Sequence, residues 1–148
     1  MELDENELNK VRRRVADYIK EGLFLKSEDK KFVKFFLENS KNSLDSAKLL
    51  FEVSTKEELK ERLGFAGFNG FLWVINASYY SMFYIARALL ENKGIKIKRD
   101  EQSIHLLTLD AFIYYFYLTG ILAKRLIEDF EESLSDSSQS WVLKRLGN

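Results

Sequence analysis

The chain has 148 residues with 46% hydrophobic and 14% aromatic content, enough to bury the core of one domain and too apolar for a disordered chain. Its 23 basic and 23 acidic residues cancel, so no global field draws it to nucleic acid, and any such contact has to be local. The lack of cysteine excludes disulfides, thiolate metal sites and cysteine nucleophiles, and is compatible with a reducing cytoplasm.

The acidic stretch 1–6 lacks the apolar run of a secretory signal. Leu8, Val11, Val15, Tyr18 and Ile19 recur at helical spacing and predict an amphipathic helix from about 4 to 21, closed by Gly22. Arg12, Arg13 and Arg14 read as its solvated face. Ser27, followed by Glu28 and Asp29, is the expected cap of a long helix reaching about Val53, with Phe32, Phe35, Phe36, Leu44, Ala47, Leu50 and Phe51 as its apolar face. Thr55 followed by Glu58 matches a capping box and opens a short helix that Gly64 ends. The glycine-rich stretch 64–70 reads as an apolar loop. It is no phosphate cradle, because no Lys-Ser/Thr pair follows the glycines.

The helix containing residues 76–90 is the expected centre of the bundle, apolar or small on nearly every side and stopped by Gly94. The stretch 71–90 has the length of a membrane span, yet Arg87 within it costs roughly 2.5–3.5 kcal/mol on insertion scales, so no membrane association and a cytoplasmic location are expected. Asn76, Tyr80, Arg87 and Glu91 share one helical face as a polar line, either a solvated seam or a site. Residues 95–100 read as an exposed basic connector, and Asp100 or Ser103 caps an apolar helix reaching Leu118. The run Phe112-Ile113-Tyr114-Tyr115-Phe116-Tyr117-Leu118 is apolar all round and packs either within its own domain or on a second subunit. Beyond Gly120 a hairpin is expected: an amphipathic helix over 121–134, a polar loop and a terminal turn. With no proline in the chain and glycines only where periodicity breaks, the pattern is all-α, an up-and-down bundle of about four to six helices.

The string Asn76-Ala77-Ser78-Tyr79-Tyr80-Ser81-Met82-Phe83-Tyr84-Ile85-Ala86-Arg87-Ala88-Leu89-Leu90, then Lys93-Gly94-Ile95, resembles the signature of HEPN domains (higher eukaryotes and prokaryotes nucleotide-binding). Residues 43–50 resemble that family's preceding helix and 116–122 its following turn. The similarity covers about 30–134 of a single domain spanning 1–148, with 1–24 as an additional N-terminal helix. It implies a helical bundle, usually a homodimer, paired with a minimal nucleotidyltransferase in toxin–antitoxin systems. Many members are metal-independent ribonucleases with an Arg, often a polar residue, then a His. Arg99, Asp100 and His105 stand in that relation here, and His105 is the chain's one histidine.

Metal-free RNA cleavage needs a base for the ribose 2′-hydroxyl, an acid for the leaving oxygen and a cation on the phosphoryl oxygens. Histidine suits the first two because its pKa near 6.5 leaves both forms available. Arg99 offers the cation as a fork matched to phosphate, reaching back from the connector, while Asp100 orients the pair or caps the helix. A single histidine cannot be acid and base at once, so either His105 of two subunits meets across the dimer axis or Tyr80 or Tyr84 stands in, poorly, for the second group. The alternative is a non-catalytic module that binds a nucleotide through Asn76, Tyr80 and Arg87, or binds a partner. In the plain packing reading the tyrosine pair is core with satisfied hydroxyls, and Arg87 hydrogen-bonds neighbouring helices. No metal-ligand spacing occurs, and no cofactor is implied.

Overall fold

The computed structural model describes residues 4–98, 104–122 and 132. Among the described residues five helices carry the fold: α1 (Glu5–Lys20), α2 (Val33–Thr55), α3 (Glu57–Leu63), α4 (Phe71–Asn92) and α5 (Ile104–Phe112). The last runs into a π-helical stretch, Ile113–Tyr117, and two short strands, β1 (Phe24–Lys26) and β2 (Ile95–Ile97), form a ribbon. The protein is an all-α bundle. Among the described residues no helix is long and apolar enough to cross a membrane.

In α1 the Asp4 carboxylate accepts from the Glu7 amide at 2.8 Å, satisfying one of the four free N–H groups of a helix start. The heptad-like spacing buries Leu8, Val11, Val15 and Tyr18, and Gly22 takes the left-handed conformation that ends the helix. Arg14 departs from the solvated reading. Its guanidinium donates from Nε and Nη2 to the two carboxylate oxygens of Asp110 at 2.8 and 2.7 Å, and the Tyr18 hydroxyl donates to the same carboxylate at 3.2 Å. This pair ties α1 to α5, with Asp110 only 1% exposed.

The stretch expected to be a basic connector is partly a strand. Ile95 and Ile97 turn inward and are buried, and β2 pairs antiparallel with β1 in the register Phe24 to Ile97 and Lys26 to Ile95. Ser27 does not cap α2. Its hydroxyl accepts from the Asp29 amide and the Asp29 carboxylate from the Lys31 amide, a local turn that delays the helix to Val33. Gly94 closes this corner: φ is +82°, the Ser27 amide donates to the Gly94 carbonyl at 2.9 Å, and a Cβ there would sit 2.8 Å from the Ser27 carbonyl oxygen. Both conditions exclude a side chain.

The capping box at Thr55 does not form either. The Thr55 hydroxyl donates back to the Phe51 carbonyl at 2.9 Å, so Thr55 stays in the last turn of α2, and Lys56 precedes α3 without a side-chain cap. Gly64 ends α3 in the left-handed region. Helices α2 and α4 run antiparallel: Phe51 meets Phe71, and the Ser40 hydroxyl donates to the Ser81 carbonyl at 2.9 Å. Buried Ser40, Ala47, Ser81 and Ala88 lie along the two helices.

The opposite side of α4, with Tyr79, Phe83, Ala86 and Leu90, packs into the core formed with α1, α5 and the ribbon. The run after α5 belongs to that core as well. Phe112, Ile113 and Phe116 are buried, and Tyr114, Tyr115, Tyr117 and Leu118 are packed against them within the same chain. Uncovered apolar surface lies instead on α2 and α4, at Phe32, Phe35, Leu44, Phe51, Phe71, Trp73 and Tyr80 among others. The cap expected at Asp100 or Ser103, and all but Glu132 of the hairpin expected beyond Leu122, lie outside the described residues.

Candidate functional site

His105 sits in the first turn of α5, where that helix crosses α4. Its ring is held by three aromatic side chains of α4, with centroids at 4.6 Å to Phe83, 5.5 Å to Tyr79 and 5.9 Å to Tyr80. Tyr79 and Phe83 are one helical turn apart, which puts both on the core face, whereas Tyr80 turns outward and is 41% exposed. The tyrosine pair thus divides: one member is core, the other surface.

His105 Nδ1 lies 2.6 Å from the Tyr79 hydroxyl. Burial raises the Tyr79 pKa strongly, so the phenol keeps its proton. Burial, and after it the positive charge of Arg87, lower the His105 pKa below the ordinary 6.5. The imidazole is therefore neutral at neutral pH. The contact fits two tautomers: where Nδ1–H donates to the Tyr79 oxygen, Nε2 keeps a lone pair and can take up a proton, and where the Tyr79 hydroxyl donates to Nδ1, Nε2 carries the proton instead.

Arg87 lies two turns along α4 from Tyr80, half-buried, with its guanidinium 5.0 Å from the Phe36 ring centroid. It packs on α2 without hydrogen-bonding to it: among the described residues no acceptor bonds this guanidinium. Burial lowers its pKa, and the charge of Glu91 one turn further works against that. Glu91 is 3% exposed, its Oε1 stands 3.4 Å from Lys96 Nζ, and among the described residues no donor reaches that oxygen in hydrogen-bond geometry. The polar line of α4 is not a solvated seam. Asn76 is half-buried, Tyr80 exposed, Arg87 half-buried and Glu91 buried.

Four of the expected positions, Tyr80, Arg87, Glu91 and His105, share one side of α4 and its neighbour α5. Asn76 stands one turn before Tyr80 on the same helix. Arg99 and Asp100 lie outside the described residues. Two participants were not singled out from the sequence. Tyr79 entered the sequence reading only within the signature string and as one of the tyrosine pair read as core. Phe36, which carries Arg87 and stacks on Tyr84 at 6.3 Å, comes from α2. Among the described residues no three His, Asp or Glu side chains converge as metal ligands. An open cavity of about 610 Å³ lined by Lys26, Ser27, Glu28, Lys93, Gly94, Ile95 and Tyr115 shares no residue with the His105 cluster.

Comparison of the chain with protein-family models, curated proteins and solved structures gives no match in any of the three.

Proposed function

We propose that this chain is a HEPN-like, metal-independent ribonuclease of the toxin kind, acting in the cytoplasm as a homodimer alongside a minimal nucleotidyltransferase. The observation that carries the reading is a neutral, half-buried imidazole beside an arginine whose donors the described part of the protein leaves unused. Such a guanidinium offers its fork to phosphate oxygens, and Arg99 supplies a second one if the connector brings it back.

In the reaction His105 Nε2 takes the proton of a ribose 2′-hydroxyl. The 2′-oxygen attacks the adjacent phosphorus, the P–O5′ bond breaks, and the leaving oxygen takes a proton from an imidazolium. The products are a 2′,3′-cyclic phosphate and a 5′-hydroxyl. The cycle uses the tautomer in which Nδ1–H donates to the Tyr79 oxygen, so that this bond persists while only Nε2 gains and loses a proton. The acid is the second copy's His105 in its protonated form, which the negative charge of the bound phosphate favours, and the proton taken up by the first imidazole lets the two exchange roles in the next turnover. Trp73 and Tyr80, seven residues apart on one face of α4, and Leu106 beside the imidazole are 51%, 41% and 44% exposed and supply apolar surface for that meeting.

One observation favours the alternative, a non-catalytic nucleotide-binding module of Asn76, Tyr80 and Arg87: Tyr79 already satisfies one nitrogen of His105, as a structural histidine requires. Incubating the full chain with total RNA in EDTA separates the two. The ribonuclease reading expects cyclic-phosphate ends and a fall of about 10²–10⁴-fold in His105→Ala. RNA left intact by the unmodified protein sinks it and leaves the binding module.

A further inference from the structure

The start of α2 carries three phenylalanines, Phe32 just before the helix and Phe35 and Phe36 in its first turn, whose rings touch one another at centroid distances of 5.5–6.4 Å. Two of them are turned to solvent, Phe32 at 46% and Phe35 at 52% exposure, although exposed phenylalanine costs solubility and contributes nothing to a core. Cations stand on this cluster from three directions. Lys31 Nζ is 5.2 Å and Lys96 Nζ 5.8 Å from the Phe32 centroid, and Arg87 covers Phe36. Asp29 holds Lys96 in place at 3.1 Å.

The cluster also connects to the imidazole. Phe36 stacks on Tyr84 at 6.3 Å, Tyr84 meets Tyr80 at 6.1 Å, and Tyr80 meets His105 at 5.9 Å. An unbroken row of rings thus runs from the start of α2 across α4 to the candidate catalytic group. We propose that Phe32 and Phe35 form a base-stacking subsite for unpaired nucleotides of a single-stranded RNA, with Lys31 on the phosphates, which leads the strand along Tyr84 and Tyr80 towards His105.

Rings ringed by cations suit a ligand that alternates flat bases with anionic phosphates, because each base offers a π face and each phosphate a counter-charge. A protein partner fits this patch poorly, since covering it with apolar side chains would strip water from Lys96 and Lys31 without replacing it. The other flank of α2 makes the contrast. Leu37, Leu44 and Phe51, spaced by seven, are exposed there, and no cation stands on the Phe51 ring among the described residues. A duplex cannot use the phenylalanine cluster either, because its bases are already stacked on each other.

The inference rests on the ribonuclease reading for its direction towards His105, and the test keeps the two apart. Affinity of the full chain carrying His105→Ala is measured by fluorescence anisotropy for a labelled single-stranded RNA and for the same sequence as a duplex. Adding Phe35→Ala is expected to weaken single-strand binding about 5- to 150-fold, the range for one lost stacking partner, while Leu49→Ala, 63% exposed elsewhere on α2, leaves it unchanged. Lys31→Ala is expected to lower the slope of log affinity against log salt by about 0.7. Equal affinity for duplex and single strand, or indifference to Phe35→Ala, overturns the subsite. So does an affinity loss in Phe35→Ala that coincides with a change from dimer to monomer by light scattering, which would make the cluster a contact between copies. RNA cleavage that survives His105→Ala in the otherwise unmodified chain removes the catalytic reading and leaves the binding result standing.

Discussion

Two buried carboxylates of this protein each have an arginine and an aromatic residue nearby, and they are treated in opposite ways. Asp110 receives two hydrogen bonds from Arg14 and a third from Tyr18, so its negative charge is matched by directed donors. Glu91 is nearly as buried, yet Lys96 stands 3.4 Å away without hydrogen-bond geometry, and Arg87 lies on the Phe36 ring instead of on the carboxylate. The first centre is closed and joins α1 to α5. The second is open, and its arginine is the one whose charge reaches the imidazole. A fold gains from the closed arrangement because every buried lone pair finds a proton. A guanidinium without acceptors costs stability while empty and becomes an asset when an anion arrives.

Breaking the closed centre should have the largest effect. Arg14→Ala leaves Asp110 without its two strongest donors and is expected to cost about 3 kcal/mol, the lower end of the range for breaking a buried pair, because the Arg14 side chain is itself 34% exposed. Urea denaturation measures it, and replacing Asp110 by Leu in the same chain should recover part of the loss, because no orphaned carboxylate then remains. Arg87→Met sharpens the contrast. It gives up a cation–π contact and the field on Glu91, for about 1 kcal/mol, while RNA cleavage should fall by roughly 10²-fold or more, the size seen when a charge-stabilising donor is lost. A stability loss as large as that of Arg14→Ala, with cleavage unchanged, would make Arg87 a second structural arginine.

How much of this was legible in the chain follows from sequence separation. Helix α1 and its boundaries could be read because Leu8, Val11, Val15 and Tyr18 carry the 3.6-residue period and Gly22 marks the stop. Strands β1 and β2 could not, since an Ile-Lys-Ile alternation of three residues is too short to separate from a connector, and its pairing partner lies some 70 positions earlier. Arg14 looked like one of three equivalent surface arginines. Only the partner 96 residues away distinguishes it, and nothing local to 12–14 encodes that. His105 stood out by being the sole histidine, but its Tyr79 bond crosses 26 residues, and Tyr79 and Tyr80 are equivalent until α5 is in place. Thr55 shows the reverse failure, a correct capping motif overridden because its hydroxyl reaches the Phe51 carbonyl first.

The smallest expected effect is a pH dependence, and it tests whether the open centre and the imidazole are one unit. His105 titrates below its unfolded value near 6.5, because burial and then Arg87 disfavour the charged form. Between the two pKa values the unfolded chain binds more protons than the folded one, so stability rises with pH across that window. Acidifying from pH 7 therefore costs stability as the pH falls through 6.5, and the loss levels off once the folded imidazole is itself protonated. Denaturant midpoints between pH 7.5 and 5 should show this slope, and His105→Gln should reduce it. Arg87→Met should reduce it too, by removing the positive charge that helps depress the histidine, whereas Arg14→Ala should leave it in place, since Arg14 is not among the groups acting on His105. A slope that survives Arg87→Met but disappears with Arg14→Ala would place the titrating group at the closed centre and separate Arg87 from the imidazole.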